Sequence, residues 1–147
     1  MSDYIVKPID DRTKEILAFL SDRRKSLGIS VRALAATMGV YPNQIQQWLN
    51  LPGNPQMDNL VRLGNALGIR FSMSNTKKYA DSAEELVGLL DKAKTYYELS
   101  TRDIAEMTGI VQPSVANIIG HRVMPRLNTF ILLADALGVE LELYTED

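Results

Sequence analysis

The sequence repeats itself at a fixed offset of 70 residues, without a gap. Ser30 falls on Ser100, Arg32 on Arg102, Ala35 on Ala105, Gly39 on Gly109, Pro55 on Pro125, and Ala66-Leu67-Gly68 on Ala136-Leu137-Gly138. The apolar positions between these identities match as well: Leu34/Ile104, Val40/Ile110, Ile45/Val115, Trp48/Ile118, Leu63/Leu133 and Ile69/Val139. An internal period of this length reads as one compact unit used twice. Units of about 60 residues fold alone only marginally, so docking of the two copies is expected to stabilise both.

Composition removes several classes of chemistry. The chain has no cysteine, which excludes a disulfide scaffold and thiolate catalysis. One histidine without cysteine leaves no zinc ligand set. There is no phosphate-cradling loop and no nucleophile–histidine spacing. Asp10-Asp11 and Glu84-Glu85 read as helix-start charges rather than as paired catalytic carboxylates. No apolar run approaches the ~18 residues of a membrane span. The opening Met1-Ser2-Asp3-Tyr4 lacks the basic and apolar regions of a secretory leader. The expectation is a non-enzymatic, cytoplasmic protein with no cofactor, no metal and no membrane partner.

The pattern along the chain divides it into an N-terminal arm (1–11), a first unit (12–73), a polar linker (74–81) and a second unit (82–147). In the first unit, Asp10 and Asp11 precede a helix with Ile16, Leu17, Leu20 and Leu27 as its stripe, and Gly28 stops it. Ser30 caps a second helix ended by Gly39. Pro42 to Leu49 is the third, and Asp58 to Leu67 the fourth, after the loop Pro52-Gly53-Asn54-Pro55. The second unit retraces this path. Asp81 or Ser82 caps the first helix, Ser100 the second, Gln112 to Ile119 is the third, and Leu127 to Leu137 the last. Each unit ends in an alternating stretch, Ile69–Met73 and Val139–Tyr144, whose period of two predicts half-buried strands. A lone strand leaves its backbone groups unpaired. The two stretches are therefore expected to pair as a small antiparallel ribbon, with Arg70 and Glu140 opposite in charge.

The pattern Ser30-x-x-x-Leu34-Ala35-x-x-Met38-Gly39-Val40 followed by Ile45-x-x-Trp48 resembles the lambda-repressor and Cro-like (Xre-type) helix-turn-helix family. Ser100-x-x-x-Ile104-Ala105-x-x-x-Gly109-Ile110 followed by Val115-x-x-Ile118 resembles it equally. The resemblance implies an all-α fold of two tandem lambda-repressor-like helix-turn-helix domains, each ending in a short strand. It also implies that each third helix enters the major groove of double-stranded DNA by its N-terminal residues. By position, the first reader presents Tyr41, Asn43, Gln44 and Gln47, and the second Gln112, Ser114 and Asn117 beside Pro113. Asn and Gln pair bidentately with adenine, and neither reader offers the Arg or Lys of a guanine contact. Arg32 and Arg102 fall where the family approaches phosphates, and His121, Arg122 and Arg126 follow the second reader.

Charge qualifies that reading. The net charge is −2, against the basic balance expected of a DNA binder. Residues 1–75 hold 9 Lys/Arg against 6 Asp/Glu (+3), and residues 76–147 hold 7 against 12 (−5). Leu49, Leu51 and Ile119 stand where the family carries small or polar residues and are expected to add apolar surface near the readers. The loop and terminal strands look like the antitoxin-type branch. Two functions follow. One is a transcriptional regulator, repressor-like and acting as a monomeric pseudo-dimer or a homodimer on an asymmetric operator. The other is a protein-binding module, an antitoxin or antiactivator whose partner is a toxin or another regulator.

Overall fold

The structure is a computed structural model that describes residues 9–50 and 53–146, with side chains from Asp11 onward. Positions 1–8 of the expected arm (1–11), and Leu51, lie outside the described residues, and positions 9–11 belong to the first helix rather than to an arm. The described residues form eight helices and two strands. In chain order these are α1 (Ile9–Ser26), α2 (Val31–Met38), α3 (Pro42–Leu49), α4 (Met57–Ala66) and β1 (Ile69–Met73), then α5 (Ala83–Tyr96), α6 (Thr101–Thr108), α7 (Gln112–Ile119), α8 (Leu127–Ala136) and β2 (Leu141–Thr145). Three pairs (α2 and α6, α3 and α7, α4 and α8) have bounds that differ by the repeat length of 70 at both ends.

Local chemistry explains the helix bounds. The Ser30 and Ser100 hydroxyls accept the N–H groups of Ala33 and Asp103, each at 3.0 Å, and so cap α2 and α6. Both helices end on a glycine in the left-handed region, Gly39 at φ 72° and Gly109 at φ 77°. An L side chain is disfavoured there, so the tight turn into the next helix requires glycine. Ser82, rather than Asp81, caps α5: its hydroxyl accepts the Glu85 N–H at 3.2 Å.

One core runs through both halves. It joins Leu17 and Leu20 of α1, Leu34 of α2, Ile45 of α3 and Leu60 and Leu63 of α4 to Leu86 and Leu90 of α5, Ile104, Val115, Phe130 and Leu133. The halves are crossed in their packing: α1 packs on α8, and α5 on α4. Arg12 on α1 meets Asp135 on α8 at 2.7 Å.

The bonds between the halves are reciprocal. Met57 N–H donates to Pro125 C=O at 2.9 Å, and Leu127 N–H donates to Pro55 C=O at 2.8 Å. Shifting either bond by one repeat produces the other, so the exchange centres on the bridge between Gln56 and Arg126. The ribbon has the same symmetry. β1 and β2 pair antiparallel, with Phe71 opposite Leu143, Met73 opposite Leu141, and Ser72 opposite Glu142, its own repeat partner, at the centre. A two-fold relation that passes through Gln56/Arg126 and Ser72/Glu142 accounts for both junctions.

The ribbon corrects two expectations. β2 begins at Leu141 rather than Val139, because Leu141 already faces Met73, the last residue of β1, and the chain turns away at Ser74 and Asn75. The two-fold register sets Arg70 opposite Tyr144, not Glu140. Arg70 bonds instead to Glu146 and Asp81, both at 3.0 Å, and its guanidinium lies 5.0 Å from the centre of the Tyr79 ring. Glu140 meets β1's end through its backbone, its N–H donating to the Ser74 hydroxyl at 2.8 Å. Burial, and then the neighbouring Glu142 carboxylate, push the Tyr144 phenol above its ordinary value. The polar segment between the halves is packed. Ala80 is buried and donates its N–H to Phe71 C=O at 2.7 Å, and the Ser72 hydroxyl donates to Lys78 C=O at 2.8 Å.

Candidate nucleic-acid interface

α3 is fixed to the core by Ile45, which is fully buried, and by Trp48 and Leu49, which pack against it. α7 is fixed likewise by Val115, Ile118 and Ile119. Leu49 and Ile119 therefore face inward, Ile119 buried and Leu49 half-buried, and the apolar surface expected from them near the readers is largely covered. Their spacing from Ile45 and Val115 continues the i, i+3, i+4 stripe of a core-facing helix.

With the apolar stripe inward, the opposite face of each helix presents the candidate readers. Asn43 and Gln47 are exposed on α3, and Gln112 is exposed on α7 with Ser114 and Asn117 half-buried beside it. Two of the candidates on α3 and α7 spend polar groups locally. The Gln44 carboxamide oxygen accepts the Tyr41 N–H at 3.0 Å and holds the first turn of α3. Gln112 reaches back to the Thr101 hydroxyl at 3.4 Å and ties α7 to the start of α6. Tyr41 is the N-cap residue of α3, and its ring is 76% exposed, so it is not part of the core.

The loops after α3 and α7 meet at the two-fold relation. A groove of about 470 Å³ beside α3 is lined by Gln47, Trp48, Asn54, Gln56, Asn59 and Arg126. Its counterpart beside α7, about 420 Å³, is lined by Ser114, Asn117, Ile118, Val123, Met124 and again Arg126. The structure thus brings Gln47, Ser114, Asn117 and Arg126 onto one face, with Arg126 at its middle. Arg126 donates one guanidinium N–H to Asn54 C=O at 2.9 Å, and so bonds across the junction. The Asn54 side chain adds a second clasp: its amide N–H donates to Asn128 Oδ1 at 2.9 Å, and its Oδ1 accepts the Asn128 backbone N–H at 3.0 Å. His121 and Arg122 are exposed in the turn that follows α7, with His121 in the left-handed region at φ 60°.

The two halves of this face differ in chemistry. Position by position, Thr37, Tyr41, Gly53 and Asn54 of the first half become Met107, Val111, Val123 and Met124 in the second. Val111, at the entry to α7, is 66% exposed, and it is a surface feature that the sequence reading passed over. Charge differs too. Arg32 and Arg102 are both exposed, but α2 carries no acid, while α6 carries Asp103 and Glu106. Glu106 sits 3.4 Å from Arg102 in an exposed pair of little energetic weight.

Asp103 also serves the helix start. Its carboxylate accepts the Ser100 N–H at 2.9 Å and completes a capping box with the Ser100 hydroxyl. The Ser100 backbone bond, then its hydroxyl, hold the Asp103 carboxyl below the ordinary value of 3.8. A depressed acid contributes stability above its unfolded value, and that stability is lost as pH falls through the folded one. Asp103→Asn should therefore flatten the loss of stability on acidification below 3.8. Urea midpoints recorded against pH check this, and parallel curves for the two proteins would refute it.

A helix-turn-helix family model matches residues 20–73, which run from the end of α1 through α2, α3 and α4 to β1. No curated protein and no solved structure matches the chain.

Proposed function

We propose that the chain is a sequence-specific DNA-binding regulator of transcription that acts as a single-chain pseudo-dimer on an asymmetric operator. The helix-turn-helix match at residues 20–73 supports DNA as the partner. The observation that supports the pseudo-dimer is the reciprocal bonding at Gln56/Arg126 and Ser72/Glu142, in which the two halves exchange equivalent contacts. On this reading residues 12–73 and 82–147 are two such domains and 74–81 joins them. Asn43 and Gln47 read one half-site and Gln112, Ser114 and Asn117 the other, while Arg32, Arg102, His121, Arg122 and Arg126 meet the backbone. Gln44 acts through α3, whose first turn it holds. Half-sites read this way lie about one helical turn, ~34 Å, apart.

Selection of bound sequences from a random DNA pool tests this. The expected product is one site with two unlike halves and adenine under Gln47. Gln47→Ala should relax preference in one half by about 1–3 kcal/mol, and Asn117→Ala in the other. A palindromic product, or no enrichment, would overturn the proposal.

A second reading has one specific observation in its favour. The exchange of Thr37, Tyr41 and Gly53 for Met107, Val111 and Val123 makes the second face resemble a protein-binding surface. In that case the chain acts as an antiactivator or antitoxin, and the second half holds a protein in place of a half-site. An enriched DNA site with only one specified half would favour it.

A further inference from the structure

The two halves pack their strands differently, although the register between the strands is symmetric. On the first side, Phe71 is fully buried over Gly64 of α4, where a Cβ would fall inside the ring's van der Waals envelope. One repeat on, the same two positions are Leu141 and Ala134. Leu141 is only half-buried, and a cavity of about 190 Å³ opens beside it, with Ile131, Ala134 and Val139 as its floor.

The outer edges of the ribbon differ in the same sense. In an antiparallel ladder, alternate residues turn both backbone groups away from the partner strand. Ser74 N–H to Glu140 C=O and Glu146 N–H to Gly68 C=O place the inward pairs at even-numbered positions. Phe71, Leu141 and Leu143 therefore point outward. Phe71 C=O is taken by Ala80, in the segment that precedes α5. Among the described residues, nothing pairs with the outer edge of β2.

The surroundings of that edge are acidic. Glu15 and Glu140 stand at the cavity's rim, and Glu142 lies on β2. Arg12 also lines the cavity, and its charge is met by Asp135 at 2.7 Å. Acids outnumber bases by 5 over residues 76–147. We infer that the β2 edge and its cavity form a docking site for an extended, basic segment of a partner protein. The segment adds a third strand along Leu141–Leu143 and places one large apolar side chain in the cavity. Backbone pairing supplies affinity in this mode, and the pocket supplies selectivity. Like charges at Glu140 and Glu146 disfavour a second copy of this chain pairing through the same edge. The inference does not rest on the DNA-binding reading.

Two heptapeptides test it on the full chain, Lys-Val-Lys-Phe-Lys-Val-Lys and its Glu-for-Lys counterpart. The lysine peptide should bind at least about tenfold more tightly. Its binding should slow amide exchange at Leu141 and Leu143. Leu141→Phe with Ala134→Gly recreates the filled arrangement of Phe71 and Gly64 and leaves every charge in place. This double variant should weaken binding about tenfold, which separates docking from attraction to an acidic surface. Equal binding of both peptides, or full binding to the filled variant, would overturn the inference. Two other outcomes also would. One is binding only when Tyr4, Ile5 and Val6 are replaced by Ser, which would make the chain's own start the occupant. The other is a dimer that the Leu141→Phe, Ala134→Gly variant dissolves, which would make the occupant a second copy.

Discussion

Phe71→Ala should lower the free energy of unfolding by about 3–5 kcal/mol, and Leu141→Ala by only about 1–2 kcal/mol. The two residues occupy equivalent places in the repeat, so sequence position alone predicts equal costs. The difference comes from what each touches. Phe71 fills its site completely over Gly64, and truncation leaves a hole that a packed core cannot close. Leu141 already borders open space, so its truncation enlarges a cavity that solvent reaches. Urea denaturation of the two variants measures both costs. Equal losses would mean that β2 is packed as tightly as β1, and the proposed docking cavity would close with that result.

Affinity for the selected DNA site should fall roughly a hundredfold between 50 and 200 mM salt, with a logarithmic slope of about −3 to −4. The expectation counts the exposed arginines of the proposed interface: Arg32, Arg102, Arg122 and Arg126. Each neutralised phosphate contributes about −0.9 to the slope, so four contacts set its limit. Three of these four arginines lie in the acidic second half, whose carboxylates keep the count from rising further. Arg32→Ala should reduce the slope by about one. Arg102→Ala should reduce it by less, because Glu106 and Asp103 already offset that guanidinium. A slope that neither variant changes would remove α2 and α6 from the DNA interface.

What the sequence reveals here follows the range of the forces involved. The caps at Ser30 and Ser100 and the turns at Gly39 and Gly109 depend on neighbours a few residues away, and they are read correctly from the chain, while the choice between Asp81 and Ser82 is made only by the structure. The start of β2 and the partners of Arg70 depend on a register fixed across the whole molecule. Alternation could not place Ser72 opposite Glu142, so the expected Arg70–Glu140 meeting was displaced. Leu49 and Ile119 were misplaced for another reason. They differ from a family habit, and that difference outweighed a core stripe that Ile45 and Trp48 already define. Exposure of Asn43 and Gln47 follows from that same stripe. The position of Arg126 does not, because only the meeting of two loops distant in sequence sets it between the grooves.

The bonds that join Pro55 and Met57 to Leu127 and Pro125 lie within one chain. Two-fold proteins built from separate subunits come apart on dilution, and their stability is tied to protomer concentration. On the proposed pseudo-dimer reading, the facing surfaces are delivered together at a fixed ratio, by one act of synthesis. That reading requires a melting temperature that does not move with dilution, and an amount of competent protein that rises in direct proportion to gene dosage rather than as its square.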